Sequence, residues 1–197
     1  MLRALSDAEI ITSSGADPAC FAPIFDRHYA SIRRYIHRRV GPDLAEDLAS
    51  ETFVIAFRRR GDYDRDRADA RPWLFGIAAN LLRDHRRAEK RQLLAYARTH
   101  IDPAESPFDT VDARVDAAAA GPDLARALAT LRPEHREALL LYTWADLTYE
   151  EIAEALRIPT GTVRSRISRS RQRLRELLTA NGQSVDMQAP SGGAHGG

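Results

Sequence analysis

PEHREALLLYTWADLTYEEIAEALRIPTGTVRSRISRSRQRLRELL, residues 133–178, is the stretch that decides the fold. Pro133 suits the first turn of a helix, where its missing N–H would have had no partner. The helix it opens carries Ala138, Leu139, Leu141, Tyr142 and Trp144, and Asp146-Leu147 then turn the chain. Thr148 and Glu151 have the spacing of a capping box, which predicts a second helix with Ile152, Ala153 and Leu156 facing inward. Arg157-Ile158-Pro159 breaks that helix, and Thr160 is placed to cap a third. A short helix, a turn of three or four residues and a longer helix make a helix-turn-helix.

A helical wheel at about 100° per residue tests what the last helix can do. Val163, Ile167, Ser170, Leu174, Leu177 and Leu178 fall on one face, which packs. The opposite side is slim and polar, with Thr162, Ser165, Ser168 and Gln172. Arg164, Arg171 and Arg175 line one margin, and Arg166, Arg169 and Arg173 the other. A major groove has phosphates on both walls and base edges on its floor, so this helix has the form of one that inserts there. A solvated arginine face on an ordinary bundle helix is the plainer alternative, and the symmetric flanking by six cations argues against it.

Outward from this block the chain reads as all helical, because apolar residues recur at three- and four-residue spacing while Gly and Pro fall at the seams. Residues 1–17 read as a disordered N-terminus. A first domain spans 18–94, with one helix from about Pro18 to Val40 ended by Gly41-Pro42. The next helix is opened by Asp43 and Glu46 at capping-box spacing and stopped by Gly61. GDYDRDRADA, residues 61–70, is a charged loop, and a further helix runs from Pro72 to about Arg91. Residues 95–122, with Pro103, Pro107 and Gly121, read as a flexible linker. The helix-turn-helix domain covers 123–178 and a disordered tail 179–197, which ends in APSGGAHGG.

Composition narrows the function. Twenty-nine Lys+Arg against 28 Asp+Glu give a net charge of +1, unevenly spread. Residues 99–123 hold six acids and one arginine, an acidic connector between two mildly basic blocks. Cys20 is the single cysteine, so an internal disulfide is excluded and a reducing cytoplasm is expected. No run approaches the ~18 apolar residues of a membrane span, so no membrane insertion is expected. The six histidines form no HExxH, and neither a Gly-rich phosphate loop nor a GxSxG is present, so no catalytic residue, metal or cofactor is assigned.

In the first domain, the helix after Asp43 has apolar residues on two sides, Leu44, Leu48 and Ile55 on one and Phe53, Val54 and Phe57 on the other, with acidic Glu46, Asp47 and Glu51 alongside. One side buries against neighbouring helices and the other calls for a partner or a further core contact. The helix after Pro72 sets Gly76, Asn80, Arg83 and Arg87 in a stripe that suits a nucleic-acid backbone, with Asn80 able to bond a base.

DLAEDLASETFVIAFRRR, RPWLFGIAANLLRDHRR and LRPEHREALLLYTWADLTYEEIAEALRIPTGTVRSRISRSRQRL together resemble bacterial sigma factors of the sigma-70 family, specifically the extracytoplasmic-function (ECF) group. The resemblance spans about residues 21–91 and 123–178. It implies an all-α protein of two small helical domains, regions 2 and 4, joined by a flexible linker. It implies core RNA polymerase and promoter DNA as partners, commonly an anti-sigma factor as well, and a monomer outside the holoenzyme. Matched to the family's motifs, Asp47, Ser50, Glu51 and Phe53 fall in the helix that docks on polymerase, Ser50 standing where Gln is common. Asn80, Arg83, Arg86 and Arg87 match the stretch that contacts the minus-ten element. Loop 61–70 matches the loop that holds a flipped base, on which Tyr63 is expected to stack. Thr162, Arg164, Ser165, Arg166 and Arg169 match the helix that reads the minus-thirty-five element. A stand-alone helix-turn-helix regulator is the alternative, though nothing resembles a dimerisation or ligand domain.

Overall fold

The computed structural model describes residues 5–100 and 122–180, and these contain helices and no strand. The first helix, α1 (Asp7–Ser13), lies where a disordered N-terminus was expected. Ser6 and Glu9 form a complete capping box, and Ile10 and Ile11 are each 3% exposed, so apolar burial and a satisfied first turn fix a segment too short to stand alone. The box was legible in the sequence.

After a 3-10 turn (Pro18–Phe21) come α2 (Ala22–Val40) and α3 (Pro42–Arg58). Gly41 joins them at φ 80°, a left-handed conformation that costs glycine little. The helix α3 begins at Pro42 with no side-chain cap, so the expected Asp43 box does not form; proline at the first turn starts it instead. The face of α3 that packs on α2 and on α4 (Arg71–His100) is Ala45, Leu48, Ala49, Thr52, Phe53 and Ala56, where small residues let the axes approach. Ile24, Ile32 and Ile36 of α2 and Leu74, Ala78 and Leu82 of α4 complete this core. The helix α4 runs beyond residue 94, so its last turns occupy the first part of the expected linker; residues 101–121 of that linker, and the tail from 181, lie outside the described residues.

The second block is α5 (Pro122–Ala129), α6 (Pro133–Trp144), α7 (Tyr149–Leu156) and α8 (Thr160–Ala180). Thr148 and Glu151 cap α7 reciprocally, as their spacing predicts. Its C-terminus closes with Ile158 N–H on the Ala153 carbonyl and Arg157 N–H on that of Glu154, while Arg157 adopts φ 54°. That geometry is usually glycine's, and an arginine there carries about 1–2 kcal/mol of strain. The Pro159 carbonyl receives the N–H groups of Thr162 and Val163, so α8 starts one residue earlier than a Thr160 cap would place it. Val163, Ile167, Ser170, Leu174 and Leu178 are buried, the packing face read from the wheel.

The two blocks pack on each other through α4 and α7. Arg39 of α2, 1% exposed, makes a bidentate pair with Glu137 of α6 at 2.9 and 3.1 Å, and Tyr35 donates to the same carboxylate at 2.7 Å. Burial alone would raise the Glu137 carboxyl, but the Arg39 charge and the Arg39 and Tyr35 hydrogen bonds hold it below the usual range. Arg71 donates to the Ala145 carbonyl at 2.9 Å, and Arg67 pairs with Glu154 at 3.5 Å. A Cβ on Gly76 would lie 2.6 Å from the Ala155 carbonyl oxygen, so this glycine permits α4 and α7 to approach closely here.

Candidate polymerase and nucleic-acid faces

One face of α3 is left uncovered. Leu44, Asp47, Glu51, Val54 and Arg58 follow at three- and four-residue steps, and all are exposed; Leu44 is 37% and Val54 46% accessible. Ser50 is exposed beside them. Two carboxylates between two large apolar side chains make a surface that a partner with both cations and an apolar patch would cover. Phe53 does not join it. It is 5% exposed and meets Phe25 and Tyr29 at ring-centroid distances of 5.0 and 6.0 Å, so it supports the stripe from beneath.

Loop 61–70 and the first turns of α4 build the second face. Tyr63, expected to offer its ring to an unpaired base, is 5% exposed, packs on Trp73 at 5.1 Å and donates its hydroxyl to the Arg67 carbonyl at 2.6 Å. Burial, followed by the surrounding carboxylates, pushes its phenol well above the ordinary range, which keeps that O–H a donor. Its ring is therefore taken up by the fold. Half-buried Trp73 and, packed on it, Tyr63 line a cavity of about 240 Å³ with Arg59, Arg67, Asn80, Glu154 and Arg157. Burial raises the Glu154 carboxyl despite Arg67, with Asp64 adding to the rise.

Along the stripe, Asn80 is exposed and its amide oxygen accepts from Arg83. Arg83 and Arg87 are exposed. Gly76 is not, because α7 lies over it. Arg86 is half-buried and its charge acts on Tyr35 and Glu137, so it faces the contact between blocks.

The third face is the first half of α8. Arg164 and Arg169 are exposed, and Thr162, Ser165 and Arg166 are half-buried between them. Ser165 donates to the Thr162 carbonyl at 2.9 Å, leaving its oxygen free to accept. Burial lowers the His135 imidazole, and the charges of Arg132, Arg166 and Arg169 lower it further. Further along, Arg171 covers the Tyr142 ring at 4.9 Å and Arg173 pairs with Glu176 at 3.4 Å.

The family model described as Sigma-70 region 2 matches residues 24–92, and that described as Sigma-70, region 4 matches residues 123–174. The chain belongs to the ECF group of the sigma-70 family. The sigma factor is 36% identical to RNA polymerase sigma factor CarQ of Myxococcus xanthus over 174 residues, covering 83% of this chain and 91% of that one. It is 31% identical to ECF RNA polymerase sigma factor SigL of Mycobacterium tuberculosis, covering 87% and 96%. Among solved structures, CnrH in complex with the cytosolic domain of CnrY is similar at a TM-score of 0.62 and 26% identity, over 89% of this chain and 98% of that one. The sigma factor RpoE in complex with the anti-sigma factor NepR, from Bartonella quintana, is similar at 0.59 and 25%, over 82% and 98%. As a sigma factor, the protein binds core RNA polymerase and directs it to initiate at promoters. No described helix is long and apolar enough to cross a membrane.

Proposed function

We propose that the sigma factor docks on core polymerase through the exposed α3 stripe, opens promoter DNA through the cavity and stripe of α4, and reads the upstream element through the first half of α8. The exposure of Leu44 and Val54 on either side of Asp47 and Glu51 carries the docking assignment, because it sets apolar contact area beside two carboxylates that a cationic partner surface complements. Ser50 completes its rim, and Phe53 sets its shape from below.

At the minus-ten element, Asn80 bonds an unpaired base, Trp73 backed by Tyr63 in the cavity wall supplies the ring, and Arg83 and Arg87 hold phosphates. At the minus-thirty-five element, Arg169 and Arg166 reach base edges while Thr162, Arg164 and Ser165 seat the helix between backbone walls. This is recognition and melting without covalent chemistry, and it takes place in the cytoplasm, where polymerase and promoter are. RpoE, solved with an anti-sigma factor, supports a similar inhibitor for this chain.

The test of docking is the double reversal Asp47→Lys with Glu51→Lys, assayed by co-purification with core polymerase. The reversal is expected to abolish association and leave helical content unchanged. Recovery of core at wild-type yield contradicts the assignment.

A further inference from the structure

Asp7 stands at the first turn of α1, where an aspartate ordinarily turns to the N–H groups of its own helix. Here its carboxylate points away from them. One oxygen accepts from Arg27 at 2.8 Å; the other lies 2.6 Å from His28 Nε2 and accepts the Ala70 N–H at 3.0 Å. The Asp7 N–H meanwhile donates to the Ala68 carbonyl at 3.1 Å. The residue is 6% exposed. Asp69 also comes close to Asp7 and His28, but its carboxylate accepts the Arg71 N–H, and Arg27 already supplies the cation that a buried acid needs.

One residue thus holds the last turn of loop 61–70 twice, by main chain and by side chain, and anchors it to α2. That loop end leads directly into α4: the Ala70 carbonyl takes the Leu74 N–H, closing the first turn of the helix that carries Trp73 and Asn80. Upstream, the Tyr63 hydroxyl is bonded to the Arg67 carbonyl, so the loop is pinned at both ends of the segment lining the cavity. Burial would push the Asp7 carboxyl up, yet the hydrogen bonds from His28, Ala70 and Arg27 bring it down to about 2. The first turn of α1 is capped by Ser6 and Glu9, and the Asp7 carboxylate is spent instead on α2 and the end of the loop.

We propose that Asp7 is a positioning residue for the minus-ten site, fixing loop 61–70 and the entry of α4 so that Trp73 and Asn80 meet an unpaired base in one orientation. The proposal rests on the reading of that cavity given above. It makes the segment before region 2 part of the promoter-opening machinery.

The experiment uses holoenzyme reconstituted from core polymerase and the full chain, with open-complex yield measured on a promoter library randomised at the minus-ten and minus-thirty-five elements. Asp7→Ala is expected to lower the preference among minus-ten bases at least fivefold, and to leave core affinity and minus-thirty-five preference within twofold of wild type. Asp7→Asn should fall between, since its amide oxygen still accepts from Ala70 but loses the ion pair. Ile36→Val, a truncation elsewhere in the same core, gives the structural comparison: a similar drop in melting temperature with base preference retained. Asn80→Ala tests the underlying reading in the same assay. If Asn80→Ala alters minus-ten preference and Asp7→Ala does not, Asp7 is structural only and the proposal fails alone. An equal loss in Ile36→Val overturns it as well. If Asn80→Ala leaves minus-ten preference intact, the cavity reading fails and carries the Asp7 proposal down with it.

Discussion

Helices α4 and α8 both carry polar, arginine-bearing faces, but the molecule treats them differently. The α8 face is open, with Arg164 and Arg169 in solvent. The α4 face is half covered: α7 lies over Gly76, Glu154 pairs with Arg67 at the cavity mouth, and the buried Arg39, Tyr35 and Glu137 cluster holds the blocks together. Duplex DNA presents the upstream element at once, whereas an unpaired minus-ten base exists only after melting. The free chain therefore leaves Arg164 and Arg169 of α8 in solvent and covers only the cavity end of the α4 face, at Gly76 and Trp73, while Asn80, Arg83 and Arg87 stay exposed.

Removing Glu137 breaks this contrast most severely. Glu137→Ala removes the carboxylate opposite buried Arg39 and leaves it the Tyr35 hydroxyl, a loss of about 3–5 kcal/mol for a buried pair if nothing relaxes. The blocks are expected to part instead, seen as faster amide exchange along α4 and α7 and a larger radius of gyration by X-ray scattering. Unchanged exchange would mean that the cluster does not hold them. Tyr35→Phe removes two hydrogen bonds, the one donated to Glu137 and the one accepted from Arg39, and should cost about 2 kcal/mol by denaturant unfolding.

Arg169→Ala probes the open face. It should relax preference at one or two bases of the upstream element by about 1–3 kcal/mol, whereas Arg175→Ala should weaken all promoters alike and flatten the salt dependence by about one unit. A promoter selection in which the two effects are exchanged contradicts the groove assignment. Gly76→Ala probes the sheltered face sterically, since its methyl meets the Ala155 carbonyl while favouring α4 itself. A separation of the blocks worth about 1–3 kcal/mol is expected, read by the same exchange measurement.

The smallest effect is acid lability. Asp7 has a carboxyl at about 2, below the ordinary 3.8, so its contribution is complete above pH 4 and is lost as pH falls through 2. It amounts to about 2 kcal/mol at most. Arg27 and His28 face it from α2 and Asp69 from the loop. Denaturant unfolding of Asp7→Asn should show the gap from wild type narrowing between pH 4 and 2; a constant gap would mean that the carboxylate charge adds nothing to stability.

Much of this was legible in the chain because its signals are local. The helix-turn-helix, the Thr148 and Glu151 box and the packing face of α8 all follow from spacing within one or two turns. Two other local signals came out differently. Asp43 has box spacing, yet its neighbour Pro42 starts the helix; Tyr63 lies buried on Trp73 in the cavity wall, because long-range packing and not the loop sequence sets its exposure. Ser6 and Glu9 were readable and were outweighed by the polar character of residues 1–17. The Arg39 and Glu137 pair spans 98 positions, and nothing in sequence spacing marks such a partner. For the same reason the stripe read from Gly76 to Arg87 gave no sign that its first position lies beneath α7.

The most direct test of the sheltered and open faces uses the isolated sigma factor, wild type and Glu137→Ala, with two probes: a single-stranded minus-ten oligonucleotide and a duplex bearing the upstream element, each selected with the holoenzyme. Apparent affinity scales with the fraction of molecules in the competent state. Affinity for the single strand is predicted to rise at least tenfold in Glu137→Ala, dependent on Asn80, while duplex affinity stays within twofold. Equal single-strand affinity in the two proteins would contradict the account, because covering the cavity end of the α4 face would then place no limit on binding.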